Sequence, residues 1–276
     1  MATMRCLLAL AASKGWVLYQ LDINNAFLHG KLVEEVYMRM PKGIPNPNNL
    51  VCKLKRSLYG LKRASRQWFA RLNEELHKQG FIQAKNDPSL FIYQTSTAFI
   101  IAAVYVDDII LTGTDLGVIT TLKNHLHKVF SIKDLGELHY FLGIEVSHKK
   151  QSIILTQKKF SKELLQLTSD HGDHFHDPVL YKSLVGKLNF LTHTRPDLSY
   201  AVQTLSQFMS QQRIPHVQAL HHVLRYIAGT IGQGILLQAN SQLCLKAYSD
   251  SDWASCSESR KSVTGYVMLL GNSLVT

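Results

Sequence analysis

The sequence is short of cysteine, of acid and of long apolar runs, and each shortage excludes a class of protein. Its four cysteines, Cys6, Cys52, Cys244 and Cys256, have no CxxC spacing, which argues against a zinc site or a disulfide framework and favours reduced, intracellular thiols. No apolar run approaches the roughly 20 residues of a spanning helix, so no membrane partner is expected. The apolar N-terminus, residues 1–12, favours a packed helix over a signal peptide.

The shortage of acid leaves the chain strongly basic. Lysine and arginine number 30 against 20 aspartates and glutamates, which gives a net charge of +10. Such an excess points to a polyanionic partner. With 46% hydrophobic and 18% charged residues the chain is globular, and at 276 residues it can form two or more lobes.

Two adjacent carboxylates, Asp107 and Asp108, interrupt a long apolar segment. The stretch AFIIAAVYV (98–106) and the stretch 109–112 predict a hairpin of two buried strands with a tight bend at Asp107-Asp108. Carboxylates inside a buried strand are costly, whereas at an exposed hairpin tip they can bind a divalent cation. The alternative is a surface hairpin in which the two aspartates only favour the turn.

A third carboxylate, Asp22, ends the predicted strand 16–23. A strand-end carboxylate together with a hairpin pair is the arrangement of a two-metal nucleotidyl transferase, whose cations lie about 3.5–4 Å apart. One cation activates the primer 3′-hydroxyl and both hold the incoming triphosphate. Magnesium prefers oxygen ligands, so we predict two Mg²⁺ (or Mn²⁺) ions at this site.

A basic segment, residues 53–71, contains seven lysines and arginines and no acid. Tyr59 and Trp68 interleave with the cations, and a helix is predicted over 62–79, ending at Gly80. Interleaved cations and aromatics suit a groove that follows a phosphate backbone. The alternative is a solvated helix face.

In these segments the sequence resembles the reverse transcriptases of copia-type long-terminal-repeat retrotransposons. The resemblance runs through essentially the whole chain, in the family's order. The matching motifs are QLDINNAFLHG (20–30), KLKRSLYGLKRASRQWF (53–69), YVDD (105–108), KDLGELHYFLGIEV (133–146), YKSLVGKLNFLTHTRPDLSYAV (181–202) and YSDSDWA (248–254).

The resemblance implies catalytic, metal-binding roles for Asp22, Asp107 and Asp108. Phe27 resembles the aromatic steric gate that clashes with a ribose 2′-hydroxyl. Tyr59-Gly60 resembles the turn that touches the nascent base pair, where glycine allows close approach. Lys133 resembles a general acid that protonates pyrophosphate.

The resemblance also implies a set of residues that contact the nucleic acid. They are Lys53, Lys55, Arg56, Lys62, Arg63, Arg66 and, at the tip of the primer grip, Leu142 and Gly143. Asp250 resembles the first carboxylate of an RNase H site and would be a remnant of it. The implied partners are an RNA template, a DNA primer, deoxynucleoside triphosphates and the rest of the Pol polyprotein.

The implied fold class is α+β, with a right-hand polymerase palm, a mostly helical thumb region and truncated RNase H-like strands. We expect a palm with residual fingers over 1–147, a thumb or connection over 148–240 and the start of an RNase H-like domain over 241–276. The expected location is cytoplasmic, within a virus-like particle where the element is active.

Some features depart from the family pattern. Only 21 residues precede Asp22, so the fingers are expected to be largely missing. An internal gap is expected near 168–177, where a loop with His171, His174 and His176 could hold a metal but has no obvious frame. Further RNase H carboxylates are lacking, so no RNase H activity is expected. The alternative function is a catalytically inactive relic that at most binds nucleic acid.

Overall fold

The computed structural model describes residues 1–32, 34–169, 178–239, 242–254 and 260–276. The chain divides into two compact units, one formed by Met1–Gly15 with His139–Thr276 and the other by Trp16–Leu138. Both contain helices and antiparallel strands, which confirms the α+β class. The histidine-rich loop and most of the expected internal gap lie outside the described residues. No described helix is both long and apolar enough to cross a bilayer.

The helices follow the apolar periodicity of the sequence, and those predicted near the N-terminus and over 62–79 are confirmed. The described α-helices are α1 (Ala2–Lys14), α2 (Ala64–Lys78), α3 (Leu116–Phe130), α4 (Lys158–Ser169), α5 (Pro178–Leu191), α6 (Ser199–Ser206) and α7 (Ile214–Gly229). Short 3₁₀ helices cover Ala26–His29 and Pro196–Leu198.

The strands are short and pair antiparallel throughout the described chain. They are β1 (Leu18–Asp22), β2 (Tyr37–Arg39), β3 (Val51–Lys53), β4 (Ile82–Gln83), β5 (Leu90–Gln94), β6 (Phe99–Tyr105), β7 (Asp108–Gly113), β8 (Lys133–Glu137), β9 (Tyr140–Phe141), β10 (Ile144–Lys149), β11 (Ser152–Thr156), β12 (Ile235–Gln238), β13 (Leu245–Ser251), β14 (Thr264–Leu270) and β15 (Ser273–Leu274). Strands β4, β8, β12 and β15 are not predicted from the sequence.

The unit 16–138 is built on a six-stranded sheet in the order β4-β5-β6-β7-β1-β8. Helices α2 and α3 pack on one face of it, because alternate residues of the central strands join the helices in one apolar core. Trp68, Leu72 and Leu76 of α2 are each at most 1% exposed and lie on one helix face at i, i+4 and i+8. Helix α3 is capped at its N-terminus by Asp115, whose carboxylate accepts hydrogen bonds from the backbone N–H groups of Gly117 and Val118.

The second unit contains a sheet in the order β12-β11-β10-β9 and a helical cluster of α4 to α7 around a shared apolar core. Strands β9 and β10 are joined by a two-residue turn, Leu142-Gly143, with φ of 48° and 79°. Both central residues of this turn have positive φ, as a type I′ hairpin requires. A three-stranded sheet, β13-β14-β15, completes the unit, and all seven residues of β13 are exposed.

Candidate functional site

The hairpin that carries the paired carboxylates is present, but its bend lies one residue earlier than predicted. Tyr105 of β6 pairs with Asp108 of β7, so the two-residue turn is Val106-Asp107 and Asp108 belongs to the strand. Val106 has φ of 56°, the positive value that the first position of such a turn needs. The predicted bend at Asp107-Asp108 is therefore wrong, because the turn geometry is set by the register of β6 on β7. Both aspartates are half-buried rather than exposed at a tip.

The third carboxylate lies directly beside this hairpin. Asp22, the last residue of β1, is the antiparallel partner of Asp108. Cross-strand partners project from the same face of a sheet with Cβ atoms about 4.5–5.5 Å apart, so the two carboxylates are neighbours. Leu21 and Ile109 belong to the core beneath α2 and α3, so Asp22 and Asp108 project from the opposite face.

Gln20 is a site residue that sequence reasoning missed. Its Nε2 donates a hydrogen bond of 3.0 Å to Oδ1 of Asp108. Burial raises the pKa of Asp108, the hydrogen bond from Gln20 opposes this, and the charges of Asp107 and Asp22 raise the pKa further. The signal was present in the sequence, because Gln20 lies two residues before Asp22 and so faces the same side of β1.

The hairpin turn is held through both of its backbone carbonyls. The N–H of Ile23 donates to the carbonyl of Asp107 over 2.9 Å, which ties the turn to the end of β1. The indole Nε1 of Trp68 donates to the carbonyl of Val106 over 2.6 Å, which ties the turn to α2. The second contact was not predicted, because the interleaving of Trp68 with cations gives no indication of a distant backbone carbonyl as its partner.

Two aromatic residues lie next to the carboxylates. The rings of Phe27 and Tyr59 are 4.3 Å apart between centroids, with Phe27 partly buried against the core and Tyr59 exposed. Burial raises the pKa of the Tyr59 hydroxyl, and the charges of Asp107 and Asp22 and a hydrogen bond with Asp107 add to this. The tyrosine is therefore an electrostatic neighbour of the carboxylates.

Gly60 follows Tyr59 with φ of 92°, and a Cβ built there would meet no atom within 4 Å. The left-handed backbone therefore explains the glycine at this turn without any close approach inside the chain. Lys133 begins β8 and is the antiparallel partner of Asp22 on the side opposite Asp108. The missed strand β8 thus brings an exposed ammonium group to the edge of the site.

The basic segment is less uniform in the structure than in the sequence. Lys53 forms an ion pair with Glu35, and Arg63 forms one with Glu34. The remaining cations of the predicted set have exposed side chains that make no hydrogen bond or ion pair with another described residue. They are Lys55, Arg56, Lys62 and Arg66.

The other predicted residues belong to the second unit. Leu142 and Gly143 form the tip of the β9–β10 hairpin, and a Cβ on Gly143 would come within 2.8 Å of the Phe190 ring. Asp250 lies on the exposed strand β13, and its Oδ1 accepts a hydrogen bond from the N–H of Ser251. Their roles in binding and cleavage remain predictions.

The carboxylates suit a divalent cation by their chemistry, since hard cations take oxygen ligands. Among the described residues, however, no group of three or more His, Cys, Asp and Glu side chains is close enough to hold a metal ion. Magnesium in enzymes is commonly bound by one or two carboxylates with waters and substrate phosphates, so two of Asp22, Asp107 and Asp108 would suffice. A cation would also stabilise the ionised form of Asp108 against the charges of its neighbours.

Comparison with known proteins gives the site its context. Residues 1–172 match the family described as reverse transcriptase (RNA-dependent DNA polymerase). The chain is 40% identical over 98% of its length to the Retrovirus-related Pol polyprotein from transposon RE1 of Arabidopsis thaliana, and it spans 20% of that polyprotein. It is 34% identical to the corresponding polyprotein from transposon TNT 1-94 of Nicotiana tabacum, over its whole length and 23% of the relative.

A relative of similar size is the putative transposon Ty5-1 protein of Saccharomyces cerevisiae, 33% identical over 93% of this chain and 91% of the relative. The chain thus spans about a fifth of the plant Pol polyproteins and most of the yeast protein. The match of sequence and of length agrees with the resemblance to copia-type elements. The chain therefore belongs to the reverse transcriptase (RNA-dependent DNA polymerase) family.

Proposed function

We propose that this chain is the RNA-directed DNA polymerase module of a copia-type retrotransposon, which adds deoxynucleotides to a primer 3′-hydroxyl. The observation that carries the proposal is the register of Asp22 on Asp108, with Asp107 in the adjoining turn. This register sets two carboxylates side by side at one end of a sheet, with the third on the next residue along the chain. Two strand ends that present carboxylates side by side are suited to phosphoryl transfer.

Reverse transcriptases normally use divalent metal ions. Asp22 and Asp107 would be the main ligands and Asp108 the further carboxylate. Such ions, when bound, activate the attacking hydroxyl and neutralise the charge that develops on the triphosphate. Gln20 would keep the Asp108 carboxylate oriented through its 3.0 Å hydrogen bond.

The residues around the carboxylates suit the nucleotide. Phe27 would lie under the deoxyribose and exclude a 2′-hydroxyl, and its packing against Tyr59 would hold the ring in place. Tyr59-Gly60 would contact the nascent base pair. Lys133, beside Asp22 on β8, would donate a proton to the leaving pyrophosphate.

The partners follow from the same proposal. RNA template and DNA primer would be bound by the cations of the basic segment and by the primer-grip tip at Leu142-Gly143. The substrates would be deoxynucleoside triphosphates, in the context of a Pol polyprotein. The proposed layout is a palm with residual fingers over 1–147, a thumb over 148–240 and the start of an RNase H-like domain over 241–276. The proposed location is the cytoplasm, inside virus-like particles of an active element.

The test is incorporation of labelled deoxynucleotides by the purified chain on an RNA template with a DNA primer, with Mg²⁺ or Mn²⁺. Asp107→Asn is the matched variant, since it keeps size and shape at the turn and removes the charge. We expect incorporation by the wild type and a loss of at least about 1,000-fold in Asp107→Asn, because charge stabilisation of the transferring phosphoryl group is lost. Incorporation that survives Asp107→Asn would contradict the metal-site assignment.

A second candidate is an inactive chain that only binds nucleic acid. The observation in its favour is that no three metal-binding side chains converge within the described residues, while four cations of the basic segment stay free. This candidate predicts binding of primer–template without any incorporation in either metal. The same assay, run with an affinity measurement on the same preparation, separates the two candidates.

For the RNase H remnant we propose no cleavage activity. Asp250 lies on β13 and Asp252 directly follows that strand, whereas a two-metal nuclease needs carboxylates from several elements around the scissile phosphate. The assay is an RNA–DNA hybrid with Mg²⁺ or Mn²⁺. RNA cleavage that disappears in Asp250→Asn would contradict the proposal, and cleavage that survives the substitution would indicate a contaminating nuclease.

A further inference from the structure

The indole N–H of Trp68 needs a hydrogen-bond partner because the residue is buried, and the partner is a backbone carbonyl of the carboxylate hairpin. Its Nε1 lies 2.6 Å from the carbonyl oxygen of Val106, across 38 residues of sequence. The Trp68 side chain is otherwise buried, and the residue is 1% exposed. Its ring packs edge-on against Phe130 with centroids 5.0 Å apart. The packing fixes where the indole lies, and the N–H is aimed at the turn between β6 and β7.

The bonded carbonyl belongs to the one residue of the turn whose backbone is strained. Val106 has φ of 56°, which is a costly conformation for a β-branched side chain. Without a tether the turn could relax and carry Asp107 and the start of β7 with it. The carbonyl of the next residue, Asp107, is held by the N–H of Ile23 at 2.9 Å. The turn is therefore clamped between α2 on one side and the end of β1 on the other.

The clamp also links two parts of the proposed site. Helix α2 contains Arg66 near its start, and the loop that leads into it contains Tyr59 and Gly60. Through Trp68 the same helix holds the backbone that sets the position of Asp107. A shift of α2 would therefore be passed directly to the carboxylates, because a hydrogen bond to a backbone carbonyl moves the turn itself and not only a side chain.

We propose that Trp68 is a positioning residue for the carboxylate hairpin, and that its N–H, rather than its ring, performs this role. The inference rests on the proposed polymerase function and extends it to a residue outside the carboxylate set. It requires that removing the N–H alone loosens the turn. It also requires that this loss affects the chemical step more than nucleotide binding.

The experiment compares Trp68→3-benzothienylalanine, which replaces the N–H by sulfur in a ring of nearly the same shape, with Trp68→Phe and the wild type. Trp16→Phe is the matched control, because Trp16 contacts Phe99 in the same unit and makes no hydrogen bond with another described residue through its indole. One measurement is steady-state incorporation on RNA template with DNA primer, separated into kcat and KM for the nucleotide. The other, independent of activity, is amide hydrogen exchange at Ile23, compared with Leu138, whose N–H bonds to the carbonyl of Leu18 in the same unit.

We expect kcat of the benzothienyl variant to fall about fivefold to tenfold and its KM to stay within about twofold of the wild type. This is the size of effect expected when one hydrogen bond that positions the reacting groups is lost. We expect Ile23 exchange to become faster and Leu138 exchange to stay unchanged. Trp16→Phe should change neither quantity. Unchanged Ile23 exchange in the benzothienyl variant would overturn the inference, as would a kcat equal to that of the wild type.

A loss of kcat in Trp68→Phe without a loss in the benzothienyl variant would also overturn the inference, because the effect would then be due to ring volume. A wild-type chain that incorporates nothing would overturn the proposed function instead. In that case the exchange measurement still decides whether the Trp68 N–H holds the turn.

Discussion

The surroundings of Asp108 disfavour the ionised form of its carboxyl group. It is half-buried, and two further carboxylates are close enough to raise its pKa above the ordinary 3.8. Such a residue is unfavourable for folding, but an electrostatic penalty of this kind is common where a site must receive a cation. A raised pKa links folding to proton binding, so the stability of the folded chain depends on pH and the direction of this dependence can be measured.

We expect Asp108→Asn to be more stable than the wild type at pH 7 in the presence of a chelator. The pKa of the Asp108 carboxyl is higher in the folded chain than in the unfolded chain, so the protonated carboxyl stabilises the folded chain. This stabilisation is lost as the pH rises through the folded pKa. The variant has no such loss, so its Tm should be higher by about 1–3 °C at pH 7 and the difference should vanish below pH 3.8. Thermal unfolding at several pH values measures this.

The matched control is Glu137→Gln, an exposed carboxylate on β8 of the same sheet. It should change Tm by about 1 °C or less at any pH, as is usual for surface substitutions. A lower Tm for Asp108→Asn at pH 7, or a difference that does not depend on pH, would contradict the electrostatic reading of the site.

Phe27 provides the second prediction at the residue scale. Its ring is partly buried and fixed against Tyr59, so a smaller side chain would leave space beside the proposed sugar position. We expect Phe27→Val to raise the kcat/KM for a ribonucleotide relative to its deoxyribonucleotide by about 10-fold or more, the discrimination that one steric contact supplies. Primer extension with each nucleotide type measures the ratio.

The control for this experiment is Phe69→Leu, an aromatic substitution on α2 that affects the core near Phe91 and no proposed nucleotide contact. An unchanged ratio in Phe27→Val with normal folding would show that Phe27 is only a core residue. A ratio that rises equally in Phe69→Leu would assign the effect to general loosening of the unit.

At the scale of elements, α2 and α3 are joined through the buried carboxylate of Glu75 as well as by their apolar core. Glu75 is 4% exposed in its side chain and lies 2.9 Å from Arg71, 2.7 Å from Lys78 and 2.9 Å from His125 of α3. Burial acts to raise the pKa of Glu75, but hydrogen bonds from Lys78 and His125 and the charges of Arg71 and Lys78 outweigh burial and lower it. The carboxylate is thus held ionised inside the helix pair.

We expect Glu75→Ala to reduce the free energy of unfolding by about 2 kcal/mol, since it removes a buried carboxylate and the charge-assisted hydrogen bonds that it accepts from partly exposed partners. The neighbouring Glu74→Ala, whose side chain is 62% exposed, should cost about 0–1 kcal/mol. A carboxyl with a lowered pKa stabilises the folded chain above its unfolded pKa. That stability should disappear as the pH falls below 4.5 through the folded pKa.

Denaturant unfolding at pH 7 and near pH 3 measures both effects. The Glu75 contribution should be present at pH 7 and mostly absent near pH 3. Equal costs for the two alanine variants at pH 7 would show that the Glu75 contacts are no stronger than a surface ion pair.

At the scale of the whole molecule, the net charge of +10 acts through the cations that remain free. Removing a cation that contacts phosphate reduces the slope of log K against log salt by about 0.7–0.9. We expect the quadruple alanine variant of Lys55, Arg56, Lys62 and Arg66 to lower that slope by about 3 on primer–template. Titration at several salt concentrations measures it.

Two control variants make this test specific. Lys53→Ala/Arg63→Ala removes cations already paired with Glu35 and Glu34, so a smaller change in slope per charge is expected. Lys149→Ala/Lys150→Ala removes two exposed cations from the other unit. If all variants reduce the slope in proportion to charge alone, the basic segment is only a solvated face.

The sequence by itself determined the elements and the chemical character of the site. Apolar runs around Asp107 and Asp108 predicted the hairpin, and the segment 62–79 predicted α2. The strand ending at Asp22 was predicted within two residues of its observed start. These features depend on local periodicity and on residue type. Strand β8 was missed because Lys133–Glu137 has neither alternation nor β-branched residues, and only its pairing with β1 makes it a strand.

The tertiary structure decided which residues meet. The register that sets Asp22 opposite Asp108 comes from pairing between segments more than 80 residues apart along the printed sequence. The bend at Val106-Asp107 is set by the register of β6 on β7 within one hairpin. The hydrogen bonds from Gln20 and Trp68, and the ion pairs that occupy Lys53 and Arg63, join residues 18 to 88 positions apart. Periodicity assigns a side chain to a face, but only the packing of distant segments fixes its neighbours.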